Sequence, residues 1–163
     1  MKQYKAVFVD FDNTLCLHKR PIDYTSADIM FPALPYNIDE RVNRYFGNSI
    51  ENTTLIDILK KMKGMSLDTK FYILTTAGSK QRDLKLLWLT KHDLHEFFDE
   101  VLSVSDDCSK SEVIASYKKH YNLNANDILF LDNRVGGWND LMQLGICDAY
   151  APQTFTEMVL QEK

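Results

Sequence analysis

The feature that most constrains the fold is a series of short apolar runs separated by segments of helical period. Three runs are clear and two are weaker: residues 6–11, 70–75 and 127–131, then 100–104 and 147–150. Runs that are apolar throughout and end in polar clusters are typical of parallel strands buried on both faces. We therefore predict a central, mainly parallel sheet of about five strands.

Helical patterns lie between and after these runs. Apolar residues recur three or four positions apart in five segments: 53–63, 79–92, 109–121, 137–144 and 154–161. Ser79 and Ser109 are predicted N-caps, and Glu112 follows Ser109 at the spacing of a capping box. Strands that alternate with helices predict a three-layer, Rossmann-like α/β fold with helices on both faces of the sheet.

The chain has 163 residues, the length of one compact domain. Residues 17–49 break the alternation, since they hold three of the four prolines and show a helical period only at 39–46. We predict one domain over residues 1–163, with residues 17–49 as a small insertion that acts as a flap or minimal cap.

Composition narrows the class of protein. The net charge is −4 without a Lys/Arg-rich run, which weighs against a nucleic-acid binder but leaves a locally basic cleft open. The three cysteines lack a C-x-x-C spacing, as expected of reduced thiols in the cytoplasm. No apolar stretch has the length of a signal peptide or a membrane span, so we expect neither.

Polar residues follow three of the predicted strands. Asp10 and Asp12, Thr75, and Asp132 stand at these strand ends. Ligands of open α/β sheets bind outside the carboxyl ends of the strands, so we expect these side chains to converge there.

Asp10 and Asp12 are two carboxylates two positions apart. Adjacent carboxylates repel, and the pKa of one of them rises, unless a cation lies between them. Mg²⁺ takes oxygen ligands and is commonly held by one or two carboxylates together with a substrate phosphate. Taken alone, however, the pair is explained equally well as a solvated turn.

Further motifs give the chain a wider resemblance. An apolar strand is followed by D-x-D-x-T at Asp10, Asp12 and Thr14, and the next run ends in Thr75. Lys110 precedes the run that ends in Asp132. In this order the four motifs resemble those of the haloacid dehalogenase-like (HAD) superfamily, and the organisation is similar to its small, nearly capless, magnesium-dependent phosphatases.

The resemblance implies a reaction and a role for each residue. Asp10 would be the nucleophile that forms an aspartyl-phosphate, and Asp12 the general acid and base. Thr75 and Lys110 would bind the phosphoryl oxygens. Magnesium would be held by Asp10, by the backbone carbonyl of Asp12 and by Asp132, and the partner would be a phosphorylated substrate.

Several assignments have alternatives. Thr76 competes with Thr75 as the phosphate-binding threonine, and Lys80 competes with Lys110 as the lysine. Asp132 could serve only as a helix cap. His18, with its basic neighbours Lys19 and Arg20, could bind a second anionic group or belong to a solvated loop.

The motifs also depart from the family pattern. Asn13 stands where many relatives have glycine, and Asn133 stands where one version has a second aspartate. Asn133, Thr76, Arg134 and Asp140 are therefore candidates for supporting or substrate-binding roles rather than for catalysis. The missing second carboxylate is expected to weaken the metal site without removing it.

The substrate stays open at this level. A small phosphometabolite, a phosphoprotein and a nucleic-acid end all suit an open cleft, and nothing in the sequence indicates an oligomeric state. Two alternatives to a phosphomonoester hydrolase are a receiver-like phosphotransfer domain and a phosphate-binding protein without turnover. Receivers lack D-x-D-x-T at the first strand. A protein without turnover is disfavoured by the complete set of Asp10, Asp12, Thr75, Lys110 and Asp132.

Overall fold

A computed structural model describes residues 1–22, 38–106 and 108–162. Seven strands lie in these residues: β1 Ala6–Val9, β2 Cys16–His18, β3 Ser49–Glu51, β4 Lys70–Thr76, β5 Glu100–Val104, β6 Ile128–Leu131 and β7 Asp148–Tyr150. Five of them form one parallel sheet in the order β5-β4-β1-β6-β7. The five-stranded sheet predicted from the apolar runs is confirmed.

The central position of β1 decides where a site can form. The chain moves outward from β1 through β4 to β5, then returns to β6 and β7 on the other side. The strand order therefore reverses beside β1, which is where open α/β sheets bind ligands. Val9 is paired with Ile73 of β4 and Leu131 of β6, so the residues that follow these three strands emerge side by side.

Six helices lie in the described residues: α1 Ile38–Phe46, α2 Thr53–Met65, α3 Ser79–Lys91, α4 Cys108–His120, α5 Val135–Gln143 and α6 Pro152–Gln161. Alternate strand residues point to opposite faces of the sheet, and each face is buried. On one face Val7 and Val9 pack with α1, α2, α3 and α6, and on the other Phe8 packs with α4 and α5. The predicted three layers are confirmed.

Three predicted boundaries were wrong for local reasons. The first strand ends at Val9 rather than at Phe11, because the Phe11 carbonyl accepts bonds from the N–H groups of Leu15 (3.1 Å) and Cys16 (3.0 Å) and so closes a tight loop. The last helix begins at Pro152, since a proline at the first helical position gives up no helical hydrogen bond. The helix predicted from residue 137 begins at Val135.

The two predicted serine caps were also wrong. Gly78 is the N-cap of α3, and Ser79 is its first helical residue. Ser109 lies inside α4, where its backbone N–H and its hydroxyl each donate to Asp106 Oδ1 at 2.9 Å. Ser109 is therefore a donor to an aspartate that precedes the helix, and it is not the capping acceptor that we predicted.

The predicted insertion is bracketed by a pair of strands that the sequence did not reveal. β2 and β3 are antiparallel, with Leu17 paired to Ile50. The predicted helix at 39–46 is confirmed as α1, whose Val42 and Phe46 are buried. Residues 23–37 lie outside the described residues, so the flap or minimal cap stays a prediction. Within the described ranges, no helix is long and apolar enough to cross a membrane.

Candidate active site

The loop after β1 turns the Asp10 carboxylate into the cleft at the carboxyl end of the sheet. The Asp10 N–H donates to the Leu131 carbonyl at 2.9 Å, which continues the parallel ladder by one residue. Asn13 then adopts a left-handed backbone with φ of 57°, a conformation that asparagine tolerates better than most residues. The Asn13 position therefore needs glycine or a residue like it, which explains the departure noted in the sequence.

A lysine lies between two buried carboxylates at the base of the cleft. Lys110 Nζ lies 3.0 Å from Asp10 Oδ1 and 3.0 Å from Asp132 Oδ2. The side chains of Lys110, Asp10 and Asp132 are 3%, 8% and 0% exposed. Buried charges are stable only when they are paired in this way.

Burial and the charges of Asp10, Asp132 and Lys110 together shift two pKa values. Burial raises the pKa of Asp10 to about 6, with the Lys110 charge lowering it and the Asp132 carboxylate raising it. Burial lowers the pKa of Lys110, but Asp10 and Asp132 raise it more, and the net shift is upward. The ionised form of Asp10 is therefore costly in the folded protein without a further cation.

We expect this cost to appear as a pH dependence of stability. The pKa of Asp10 is about 6 folded and about 3.9 unfolded. Protonated Asp10 therefore makes its full contribution to the free energy of unfolding below pH 4. This contribution is lost as the pH rises through 6 and the carboxyl group ionises. In EDTA, the melting temperature of Asp10→Asn should exceed that of wild type by a margin that grows between pH 4 and 7 to roughly 7 °C. A margin that stays constant with pH would contradict this, and the exposed Asp57→Asn is the matched control.

Thr75 and Thr76 close β4 on the other side of β1. Thr75 is 1% exposed, and its hydroxyl oxygen accepts a bond from Lys85 Nζ at 2.7 Å. Both threonines line the same cleft, so the geometry leaves Thr76 as a second hydroxyl beside the favoured Thr75.

The cleft is a small polar cavity of about 70 Å³. Its walls hold Asp10, Asp12, Asn13, Thr75, Thr76, Lys110, Asn133 and Arg134. The tertiary structure therefore brings together nearly every predicted site residue. Asp132 contacts this set from below through Lys110, whereas the exposed Asp140 of α5 and the exposed Lys80 of α3 do not line the cavity.

Solved structures of other proteins share the fold of this chain, although sequence comparisons find no match. No protein-family model matches the sequence, and no curated protein does either. Solved structures do match. A HAD-superfamily hydrolase from Ehrlichia chaffeensis has a TM-score of 0.58 at 14% identity, covering 99% of this chain and 98% of its own. The chain has the HAD-like fold.

Two more structures with the HAD-like fold cover this chain almost end to end. A haloacid dehalogenase-like family hydrolase from Streptococcus pneumoniae has a TM-score of 0.53 at 16% identity, covering 98% of this chain and 99% of its own. A HAD family enzyme from Bacteroides thetaiotaomicron, in complex with magnesium and inorganic phosphate, has a TM-score of 0.57 at 12% identity, covering 91% and 93%. Identities this low show the fold alone.

Several oxygen atoms meet in this cleft. One atom of the Asn133 side-chain amide lies 3.0 Å from the Asp12 carbonyl oxygen and 3.1 Å from Asp10 Oδ2. The amide nitrogen at this position satisfies both acceptors, so Asn133 links the Asp10 carboxylate to the loop that follows it.

The described residues contain no cluster of three or more His, Cys, Asp or Glu side chains of the kind that binds a metal by itself. Mg²⁺ does not require such a cluster, because it commonly uses one or two carboxylates with the substrate phosphate and water. Asp10 and Asp132 supply two carboxylates, and Asp12 supplies a backbone carbonyl. The residues present therefore fit magnesium.

Two residues contact Asp12 in a way that the sequence did not predict. Lys85 of α3 donates to Asp12 Oδ2 at 2.8 Å, and His18 Nε2 lies 2.7 Å from Asp12 Oδ1. His18 is turned toward Asp12, with its side chain only 4% exposed, while Lys19 and Arg20 are exposed. A signal for Lys85 existed, since it stands four residues before Leu89 on the apolar face of α3.

Proposed function

We propose that this protein is a magnesium-dependent phosphomonoester hydrolase that acts through an aspartyl-phosphate on Asp10. One observation carries the proposal: the buried Asp10 carboxylate opens into a cavity of about 70 Å³ whose other walls supply donors for phosphate oxygens. These donors are the Thr75 and Thr76 hydroxyls and the Lys110 ammonium. A cavity of this size suits a phosphoryl group and leaves the rest of the substrate outside.

In the first step an Asp10 oxygen attacks phosphorus, and the bond from phosphorus to the ester oxygen breaks. The departing ester oxygen keeps the electron pair and takes a proton from Asp12. The leaving group is then released as the free alcohol. Lys110 and Thr75 donate to the phosphoryl oxygens, over which charge spreads in the transition state.

In the second step water attacks the phosphorus of the aspartyl-phosphate. Asp12 accepts the proton of that water, the bond between phosphorus and Asp10 breaks, and inorganic phosphate is released. Asp12 suits both steps because its carboxylate lies at the rim of the cavity and its side chain is 29% exposed. A receiver-like domain has no use for such a group, so the position of Asp12 favours turnover.

The residues that would hold magnesium are Asp10, Asp132 and the backbone carbonyl of Asp12. When bound, the metal neutralises charge that otherwise repels an anionic nucleophile from an anionic phosphate. The similarity to the Bacteroides thetaiotaomicron enzyme, which was crystallised with magnesium and inorganic phosphate, supports this choice.

Three further points belong to the proposal. The substrate is a small phosphometabolite, a phosphoprotein or a nucleic-acid end, and residues 17–49 shape its access as a flap or minimal cap. Cys16 and Cys147 are free thiols, which supports a reducing compartment such as the cytoplasm.

A phosphatase assay tests the proposal directly. Purified protein is incubated with p-nitrophenyl phosphate and a panel of phosphate monoesters in Mg²⁺ or in EDTA. We expect hydrolysis in Mg²⁺ and a loss of at least about 100-fold in EDTA, because the metal supplies several kcal/mol of charge stabilisation. A protein that hydrolyses nothing on the panel in Mg²⁺ is not a phosphomonoester hydrolase.

A further inference from the structure

A buried lysine lies behind the cavity and has no place in the reaction described above. Lys85 belongs to the face of α3 that also buries Trp88, and its side chain is 0% exposed. Its Nζ donates to Asp12 Oδ2 at 2.8 Å and to Thr75 Oγ1 at 2.7 Å, and lies 5.3 Å from the centre of the Phe11 ring. Lysine is rarely buried this fully, and burial of its charge is costly without such partners.

The arrangement limits what Lys85 can do. A fully buried ammonium does not touch the substrate, so any effect on the reaction passes through Asp12 and Thr75. An ammonium has only donors, and Thr75 Oγ1 therefore accepts from it. The hydroxyl hydrogen of Thr75 therefore remains available for another acceptor, and Thr75 lines the cavity.

His18, the last residue of β2, contacts the second carboxylate oxygen of Asp12. Its Nε2 lies 2.7 Å from Asp12 Oδ1, and its Nδ1 lies 2.6 Å from the Ser49 hydroxyl of β3. The imidazole ring also stacks on Phe46 of α1, with centroids 6.0 Å apart. The Asp12 carboxylate thus has one oxygen in contact with His18 of β2 and the other in contact with Lys85 of α3.

We propose that Lys85 is a positioning residue which, together with His18, holds the Asp12 carboxylate in one orientation at the rim of the cavity. The consequence for catalysis rests on the proposed function, because a proton donor must lie within hydrogen-bond reach of the leaving oxygen. The contacts of Asp12 with Lys85 and His18 do not depend on that function.

A double-mutant cycle of melting temperatures tests the interaction between Lys85 and Asp12 without any assay of activity. Lys85→Met, Asp12→Asn and the double variant are melted in saturating Mg²⁺. Each single change should lower the melting temperature by roughly 5 °C, because each leaves its partner without the ion pair. The double variant should lose clearly less than the sum, and strict additivity would overturn the proposal. Lys80→Met, an exposed lysine of the same helix, should change little.

A leaving-group series tests the consequence for Asp12. For Lys85→Met we expect kcat/KM to fall by roughly 100-fold with phenyl phosphate, whose leaving group needs a proton, as for loss of general acid catalysis. With 2,4-dinitrophenyl phosphate, whose leaving group needs none, we expect a fall of less than about fivefold. Lys85→Arg should recover part of the loss, and His18→Gln should show the same contrast between esters.

The thermal cycle and the leaving-group series test different statements, and one can fail without the other. Equal losses with both esters would overturn the role of Lys85 in positioning the acid, because its effect would then not pass through Asp12. If wild type hydrolyses no ester, the proposed function fails, and the thermal cycle still decides whether Lys85 holds Asp12.

Discussion

Replacing Asp10 with asparagine is expected to lower kcat/KM for p-nitrophenyl phosphate by at least about 10⁴-fold. The amide is a poor nucleophile, and the substitution removes one of the two carboxylates proposed to hold magnesium. Lys110 and the two threonines remain and should still bind inorganic phosphate. Measured in saturating Mg²⁺, the loss should therefore lie mainly in kcat, with phosphate inhibition retained.

A trapping experiment distinguishes the nucleophile from a merely structural aspartate. Asp12→Asn should form the aspartyl-phosphate from 2,4-dinitrophenyl phosphate and hydrolyse it slowly, since the proposed base is gone. Acid quenching followed by peptide mass analysis should place the phosphoryl group on Asp10. The exposed Asp57→Asn is the matched control and should keep wild-type activity. Asp10→Asn with more than a tenth of wild-type activity, or label on another residue, would show that the nucleophile is wrong.

Replacing Lys110 with methionine is expected to have the largest effect on stability. Its Nζ lies 3.0 Å from carboxylate oxygens of both Asp10 and Asp132, and all three side chains are nearly inaccessible. Without the ammonium, two buried carboxylates face each other, a situation that costs about 3–5 kcal/mol. In EDTA at pH 7.5 the melting temperature should fall by roughly 10 °C. Activity should fall as well, because a donor to the phosphoryl group is lost.

Magnesium and a second substitution separate charge from packing in this variant. Added Mg²⁺ should raise the melting temperature of Lys110→Met more than that of wild type, because the metal replaces the missing positive charge. Asp10→Asn in the Lys110→Met background should recover part of the loss by removing the repulsion. Lys80→Met, at an exposed position, should melt like wild type. An unchanged melting temperature of Lys110→Met in EDTA would mean that the trio is not stabilised by its charges.

Much of this site could be predicted because its residues follow strands. An apolar run of four to seven residues indicates a buried strand, and the parallel arrangement brings strand ends to one edge of the sheet. Asp10 and Thr75 were placed by that rule, and the structure puts both in one cavity. Lys110 was placed by the order of the motifs, and it lies between Asp10 and Asp132.

The boundaries of elements were less predictable than their existence. The loop after β1 begins two residues before the apolar run ends, because backbone bonds to the Phe11 carbonyl compete with the strand ladder. Ser109, predicted as the cap of α4, lies inside the helix and donates to Asp106. Such choices depend on individual hydrogen bonds of similar strength, which periodicity does not register.

The layered α/β fold could be predicted from the amino-acid sequence alone, and so could the group of residues at the carboxyl end of the sheet that begins with Asp10. Both follow from local patterns, the length and period of apolar runs and the polar residues that end them. Only the tertiary structure decided how Asp12 is held. Lys85 and Asp12 stand 73 residues apart, and their contact depends on how α3 is rotated against the sheet. That rotation is set by the packing of many side chains at once, which no local pattern encodes.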